Sequence, residues 1–363
     1  MSQTAIPFFF MRGGTSRGPY FNRDDLPADL DVLADVLVAA VGSGHPLNID
    51  GIGGGVAVTT KVAMLSRSDG DWADVDYFFA QVGVEERRVD FKPTCGNILS
   101  GVGPAAIEMG LVTARDGETT INIHAVNTGA KVSALVQTPH GVVSYDGDTQ
   151  IDGVPGKAAP VALQFMETVG GVTGSFLPTG NVIDTIDGID VTCMDVAMPM
   201  VIARADSFGL KGYESATELD DNKGFYTHME AIRREAARLM GMGDVSNSVT
   251  PKFGLLAKAT QGGSVAARYF MPWKCHPTMA VTGAQCLASC VLTPGTVANG
   301  LAPLSNESPA LIVLEHASGK IDVAVDYEHS AAGFEIKSAG LVRTARKLAS
   351  GTLFVPAKVW EGN

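Results

Sequence analysis

One pattern occurs twice in the chain. CGNILSGVGPAAIEMGL, starting at Cys95, is followed by the runs TTINIHAV and AKVSALVQT. TGAQCLASCVLTPGTV, starting at Thr282, is followed by ALIVLEHASGKIDVAV. Each first member is rich in small residues and apolar almost all round, as in a helix buried on every side. Each second member alternates with a strand period, and HASGKI joins two strands as a tight hairpin. The repeat predicts an α+β fold of two similar domains, each a sheet wrapped around a central helix. The junction is expected at SFLPTGNVID, where Pro178, Gly180 and Asn181 break the pattern, giving domains 1–180 and 181–349.

Other segments fill in the outline. The N-terminal TAIPFFFMRGG and the stretch ADVDYFFAQVGV read as strands, and helices are expected at about 27–42, 97–110, 226–241 and 280–293. YTHMEAIRREAARLMG is amphipathic and mixed in charge, which suits an outer, solvated helix. A length of 363 residues allows one large or two medium domains, and 45% hydrophobic against 18% charged residues gives ample core. The formal net charge of -12 argues against a nucleic-acid partner. No apolar run reaches the roughly 18–20 residues of a membrane span, and the N-terminus lacks the basic region of a secretion signal. The five cysteines show no zinc spacing and are odd in number, so free thiols in a reducing cytoplasm are expected. The seven histidines form no i, i+4 pair with carboxylates, so neither metal nor cofactor is expected. A homodimer is left open.

Three places carry chemistry. Gly101-x-Gly103-x-x-Ala106 superficially matches a dinucleotide fingerprint. It follows Pro93 and contains Pro104, however, where such a loop needs a strand before and a helix after. GIGGGVAVTTK lacks the Gly-Lys-Ser/Thr order of a phosphate loop. The better reading of the first place is Cys95 at a helix N-terminus, where the dipole acidifies a thiol and Gly96 lets a substrate approach the backbone amides. The alternative is an inert buried cysteine. The second place is Lys61 in GVAVTTKVAML, read as a strand. It is either an edge lysine that blocks aggregation or a lysine whose burial lowers its pKa enough to make it a base. The third is KCHPTMAVTGAQCLASC. There Thr282, Gly283 and Ala284 open a helix with free N–H groups for an anion, and His276 is a nearby donor or simply a satisfied loop histidine. Cys286 and Cys290 are read as core.

At these residues the chain resembles the diaminopimelate-epimerase-like superfamily, through Cys95-Gly96-Asn97 and Thr282-Gly283-Ala284. The cofactor-independent racemases of that superfamily place a second cysteine where this chain has Ala280, so a thiol pair inverting an amino acid is not expected. The departure is similar to the PrpF family. The likeness covers essentially the whole chain, through MRGGTSRGPYF, DGIGGGVAVTTKVAML, YDGDTQIDGVPG, GDVSNSVTPKF and GLVRTARKL among others. The resemblance implies a catalytic pair, Lys61 and Cys95, and a last strand (350–363) that returns to the first domain. The family includes aconitate and 2-methylaconitate isomerases and the 4-oxalomesaconate tautomerases of gallate and protocatechuate degradation. NILSGVGP, DTQIDGVPG and DGIDVTCMD look most like the last group.

The implied chemistry moves a proton along the allylic system of an unsaturated tricarboxylate. Lys61 would be the base and Cys95 the acid, or Lys61 would perform both steps. Thr15, Ser16 and Asn97 are expected as carboxylate donors, and Arg17 and Lys252 as counter-charges or plain surface cations. An aconitate-type isomerase is the alternative enzyme. A non-catalytic binding protein for a carboxylate metabolite is the alternative of another class.

Overall fold

A computed structural model describes residues 2–166, 168–303, 307–330 and 333–362. Contacts divide the chain into two units, Met1–Leu163 with Val342–Asn363, and Gln164–Leu341. The breaker cluster at Pro178–Asn181 thus lies inside the second unit.

The first unit comprises β1 (Gln3–Gly13), β2 (Ser16–Asn22), α1 (Leu30–Val41), β3 (Lys61–Arg67), β4 (Val75–Val82), β5 (Val89–Asp90), α2 (Gly96–Leu99), α3 (Val102–Glu108), β6 (Gly117–Ala125) and β7 (Ala130–Thr138). Its sheet runs β1-β2-β3-β4-β6-β7. β2 and β3 are parallel, β3 and β4 antiparallel, β4 and β6 parallel, and β6 and β7 antiparallel. Strand alternation sorts the side chains. Phe21, Val62, Met64, Ala80 and Val82 bury one face with Leu33, Val36 and Leu37 of α1. Lys61, Ala63 and Leu65 of β3, with Tyr77, Phe79 and Gln81 of β4, share the opposite face in register. That is the face on which α2 and α3 lie.

The chain leaves through β8 (Pro160–Met166). The second unit holds β9 (Asp184–Ile186), β10 (Ile189–Val196), β11 (Met198–Arg204), α4 (Ala216–Asp221), α5 (Lys223–Leu239), β12 (Lys252–Lys258), β13 (Val265–Phe270), α6 (Val281–Leu292), β14 (Ala310–His316) and β15 (Gly319–Ser330). β16 (Gly333–Pro356) begins there, pairing with β15, and its later residues pair with β1 from Gly13↔Ala345 to Gln3↔Pro356. β11 and β12 are parallel, β12 and β13 antiparallel, β13 and β14 parallel, and β14 and β15 antiparallel. This is the pairing pattern of the first unit again. α6 is the central helix, with every residue from Gly283 to Leu292 buried.

The fold is α+β and of the expected kind, with particular differences. The helix expected over 97–110 is two pieces. Ser100 and Gly101 bond back three residues, to Asn97 and Ile98, so a 3₁₀ step interrupts the α-helix between α2 and α3. Gly55–Thr60 is not strand; residues 57–59 form a short 3₁₀ turn and β3 begins at Lys61 itself. α5 buries Phe225, Met229, Ile232 and Ala236 along one side, together with Arg233. α4 was not anticipated from the sequence. Among the described residues, no helix is long and apolar enough to cross a membrane.

Candidate active site

Lys61 is half-buried at the start of β3, and its Nζ donates to Gln81 Oε1 at 2.8 Å. The Gln81 Nε2 lies within hydrogen-bonding reach of the Ala57 carbonyl, Thr60 Oγ1 and the Val82 carbonyl. The Lys61 ammonium also sits 5.4 Å from the centroid of Phe79. Backbone closeness fixes the lysine further. A Cβ on Gly18 would fall 1.7 Å from the Lys61 carbonyl oxygen, so only glycine allows β2 to run this close to β3.

The aromatic floor continues toward Cys95. Phe79 and Tyr77 have ring centroids 6.3 Å apart, and the Tyr77 hydroxyl donates to the Cys95 carbonyl at 3.4 Å. Tyr20 of β2 donates to the Ile98 carbonyl at 2.5 Å. Burial first, and the neighbouring Cys95 second, hold both phenols well above the usual tyrosine range. They are therefore neutral donors that anchor α2 to the sheet. Cys95 is the partly exposed N-cap residue of α2 and makes no capping bond through its sulfur. Gly96 opens the helix, ahead of its first internal bond from Leu99 N–H to the Cys95 carbonyl at 2.8 Å. The sequence pointed to a long helix behind this thiol; the observed α2 is one turn, so the dipole behind Cys95 is that of a short segment.

Asn97 and Thr15 are brought together but occupy each other. Asn97 Nδ2 donates to Thr15 Oγ1 at 3.1 Å, and Thr15 N–H reaches Asn97 Oδ1 at 3.4 Å. The pair clamps the β1–β2 turn, where Gly14 has φ of 51°, onto α2. Ser16 is buried at the start of β2. Arg17 takes the alternate face of β2 from Ser16 and Tyr20. Its guanidinium lies 5.5 Å from the Phe10 ring and fills the space before Gly54.

The second unit contains a polar set of its own. Lys252 opens β12 and is half-buried. Burial, and secondarily Arg233, lower its pKa. Arg233 is fully buried, paired with Glu230, and donates to the Pro251 and Val245 carbonyls, which pins the segment entering Lys252. His276 Nδ1 accepts from Thr278 N–H at 3.0 Å, which leaves Nε2 to carry the proton of the neutral ring. Burial lowers its pKa, and the charge of Lys252 acts in the same direction. Thr282 is partly buried, and its hydroxyl lies 3.4 Å from the Met198 sulfur. Gly283 lies against the Tyr269 ring, where a Cβ would come within 2.6 Å, and Ala284 is core. In this unit the charge of Lys252 reaches His276, and Ala284 N–H bonds the Ala280 carbonyl as the first turn of α6.

Cys193, Cys275, Cys286 and Cys290 are buried, as free core thiols should be. Tyr20, Tyr77 and Gln81 escaped the sequence reading. Their signal was the alternation Tyr77-Phe79-Gln81, which becomes meaningful only once β4 is paired with β3.

The profile described as PrpF protein matches residues 3–356. The 4-oxalomesaconate tautomerase of Pseudomonas putida (strain KT2440) is 45% identical, covering 100% of this chain and 99% of its own. The (4E)-oxalomesaconate Delta-isomerase of Novosphingobium sp. (strain KA1) is 43% identical, covering 97% and 98%. A crystal structure of methylitaconate-delta-isomerase superposes with a TM-score of 0.88 at 32% identity, covering 99% of this chain and 97% of the other.

Proposed function

The chain belongs to the PrpF family, and on that premise we propose that this isomerase acts on an unsaturated keto-tricarboxylate of the 4-oxalomesaconate type. The chemistry is a proton transfer along an allylic system. Lys61, as the neutral amine, removes a proton from a carbon acidified by the adjacent carbonyl. The electron pair spreads through the carbonyl and the double bond as a dienolate. A proton then returns to the far carbon, from the Cys95 thiol or from the Lys61 ammonium just formed. One proton leaves carbon and one arrives, so the step needs no oxidant, hydride or cofactor. When Cys95 is the donor, the Lys61 ammonium reprotonates its thiolate before the next turnover. On the same reading, the reaction would serve a step in the breakdown of gallate- or protocatechuate-type compounds.

The observation that carries this reading is the placement of Lys61. A half-buried amine is held by a neutral acceptor on the same sheet face as the two tyrosines that anchor α2 behind Cys95. A plain surface lysine would gain little from such a setting. Asn97 and Thr15 then act by shaping the loop beside the thiol rather than as free carboxylate donors. Within the second unit, the Lys252 ammonium and the His276 Nε2–H suit a carboxylate.

The test is a comparison of kcat/KM for 4-oxalomesaconate, trans-aconitate, 2-methylaconitate, methylitaconate and diaminopimelate, followed by ultraviolet absorbance for the conjugated acids. 4-Oxalomesaconate is expected to lead. A clear lead for an aconitate or for methylitaconate would move the substrate to that class. Binding of carboxylates without exchange of carbon-bound protons would make the chain a binding protein.

A further inference from the structure

Gln81 has no role in the reading from sequence, yet it is the hydrogen-bond partner of the amine on which the proposed reaction turns. Its orientation is fixed by chemistry. Nε2 faces two backbone carbonyls, Ala57 at 3.1 Å and Val82 at 3.2 Å, with Thr60 Oγ1 also at 3.2 Å. A flipped amide would set its oxygen against those carbonyls, so Oε1 must be the atom 2.8 Å from Lys61 Nζ. An amide oxygen accepts from an ammonium and from a neutral amine alike. It holds the nitrogen in place through both halves of a proton-transfer cycle and leaves the amine lone pair directed away from itself. A carboxylate at this position would form an ion pair with the ammonium and oppose loss of its proton.

We propose that Gln81 is a positioning residue. It aims the Lys61 amine and, being uncharged, leaves that amine free to alternate between its two protonation states. The proposal rests on the reading of Lys61 as the base. The elements around Lys61 carry few other ionisable groups. Tyr20 on β2, Tyr77 on β4 and Cys95 before α2 share its side of the sheet, and Arg17 on β2 takes the opposite side. Asp90 on β5 is the register partner of Gln81, and its carboxylate accepts from Lys92 N–H.

The experiment compares Gln81→Glu and Gln81→Met with the parent chain. Steady-state kinetics are taken across pH, and the pH dependence of Lys61 acylation by acetic anhydride is read in parallel by mass spectrometry. For Gln81→Glu, the acid limb of kcat and the acylation midpoint are expected to move together to higher pH by about one unit or more. Near neutrality this is a loss of roughly tenfold, recovered in alkali, with KM little changed. For Gln81→Met, kcat should fall at every pH without a shift of the limb. An acylation midpoint that is the same in Gln81→Glu as in the parent overturns the proposal. So does a Gln81→Met enzyme with the parent kcat, the arm that remains decisive where the glutamate variant does not fold. Acylation needs no substrate, so a moved midpoint in a chain that turns over none of the candidate acids upholds the role of Gln81 and overturns the proposed function alone.

Discussion

Lys252 stands in the sheet of the second unit where Lys61 stands in the sheet of the first. Each opens the middle strand of three, paired parallel to the strand before it and antiparallel to the strand after it. Each is a half-buried lysine followed by four buried residues, Val62–Leu65 and Phe253–Leu256. The likeness stops at the partner. Gln81 pairs in register with Lys61, whereas β13 ends at Phe270, opposite Phe253, and supplies no counterpart for Lys252.

That difference predicts different kinetics for the same substitution. Lys61→Met should cut kcat by about 10²–10⁴-fold, the usual contribution of a general base, with the fold intact. Lys252→Met should act chiefly on KM, as loss of a carboxylate contact does. Steady-state kinetics of the two variants, with circular dichroism as the control for folding, decide it. A Lys61→Met enzyme at the parent rate would remove Lys61 from the reaction.

Gly18→Ala should damage both stability and turnover. Its methyl group has no room beside the Lys61 carbonyl, so β2 or β3 must shift at the base itself. Overpacking of this kind costs about 1–3 kcal/mol. Denaturant unfolding should show that loss, and kcat should fall with it. A stable variant with the parent kcat would mean that the strands can part here without moving the amine.

The thiols should separate cleanly under alkylation. Cys95 is partly exposed, while burial pushes Cys275 up to about 11 and Cys193 and Cys290 up to about 12, and raises Cys286 as well. Iodoacetamide at mildly alkaline pH should add one carbamidomethyl group to the native chain, at Cys95, and four more after denaturation. Peptide mapping that finds Cys275 or Cys193 modified first would contradict the packing described.

His276 predicts a pH dependence of stability. Its pKa is lowered below the ordinary imidazole value of 6.5 by burial, with help from Lys252. Below 6.5 the unfolded chain therefore takes up a proton that the folded one resists. The stability contributed by the neutral ring is full above that pH and is lost as pH falls through the folded value. Unfolding curves from pH 7.5 to 5 should show the parent losing more stability than His276→Gln. Parallel curves would place the acid sensitivity elsewhere.

Much of this was legible because it depends on local period. AKVSALVQT became β7 at the same residues, and TGAQCLASCVL became most of a helix buried on nearly every side. The capping box of α4 was also present, in Ser215 and Glu218, and passed unread. What could not be read depends on pairing. Gln81 matters because β4 lies antiparallel to β3 in one register, and Tyr20 because β2 runs parallel to β3. The 3₁₀ step at Ser100–Gly101 was hidden because the apolar run continues through it. Arg17 was expected as a counter-charge or a plain surface cation, and only the strand alternation of β2 sets it on the face away from Ser16 and Tyr20.

The pairing of β1 with β16 sets an order of events during synthesis. β1 is made before the other described strands, and its partner over Gln3–Gly13 is the stretch up to Pro356, at the end of the last described strand. Until that stretch arrives, Phe8, Phe9 and Phe10 lie on a strand with one side unpaired, the kind of edge that recruits other chains. The sheet carrying Lys61 therefore closes only once residues 345–356 have been made, and a nascent chain halted before residue 345 holds both residues of the proposed catalytic pair yet should be prone to aggregate.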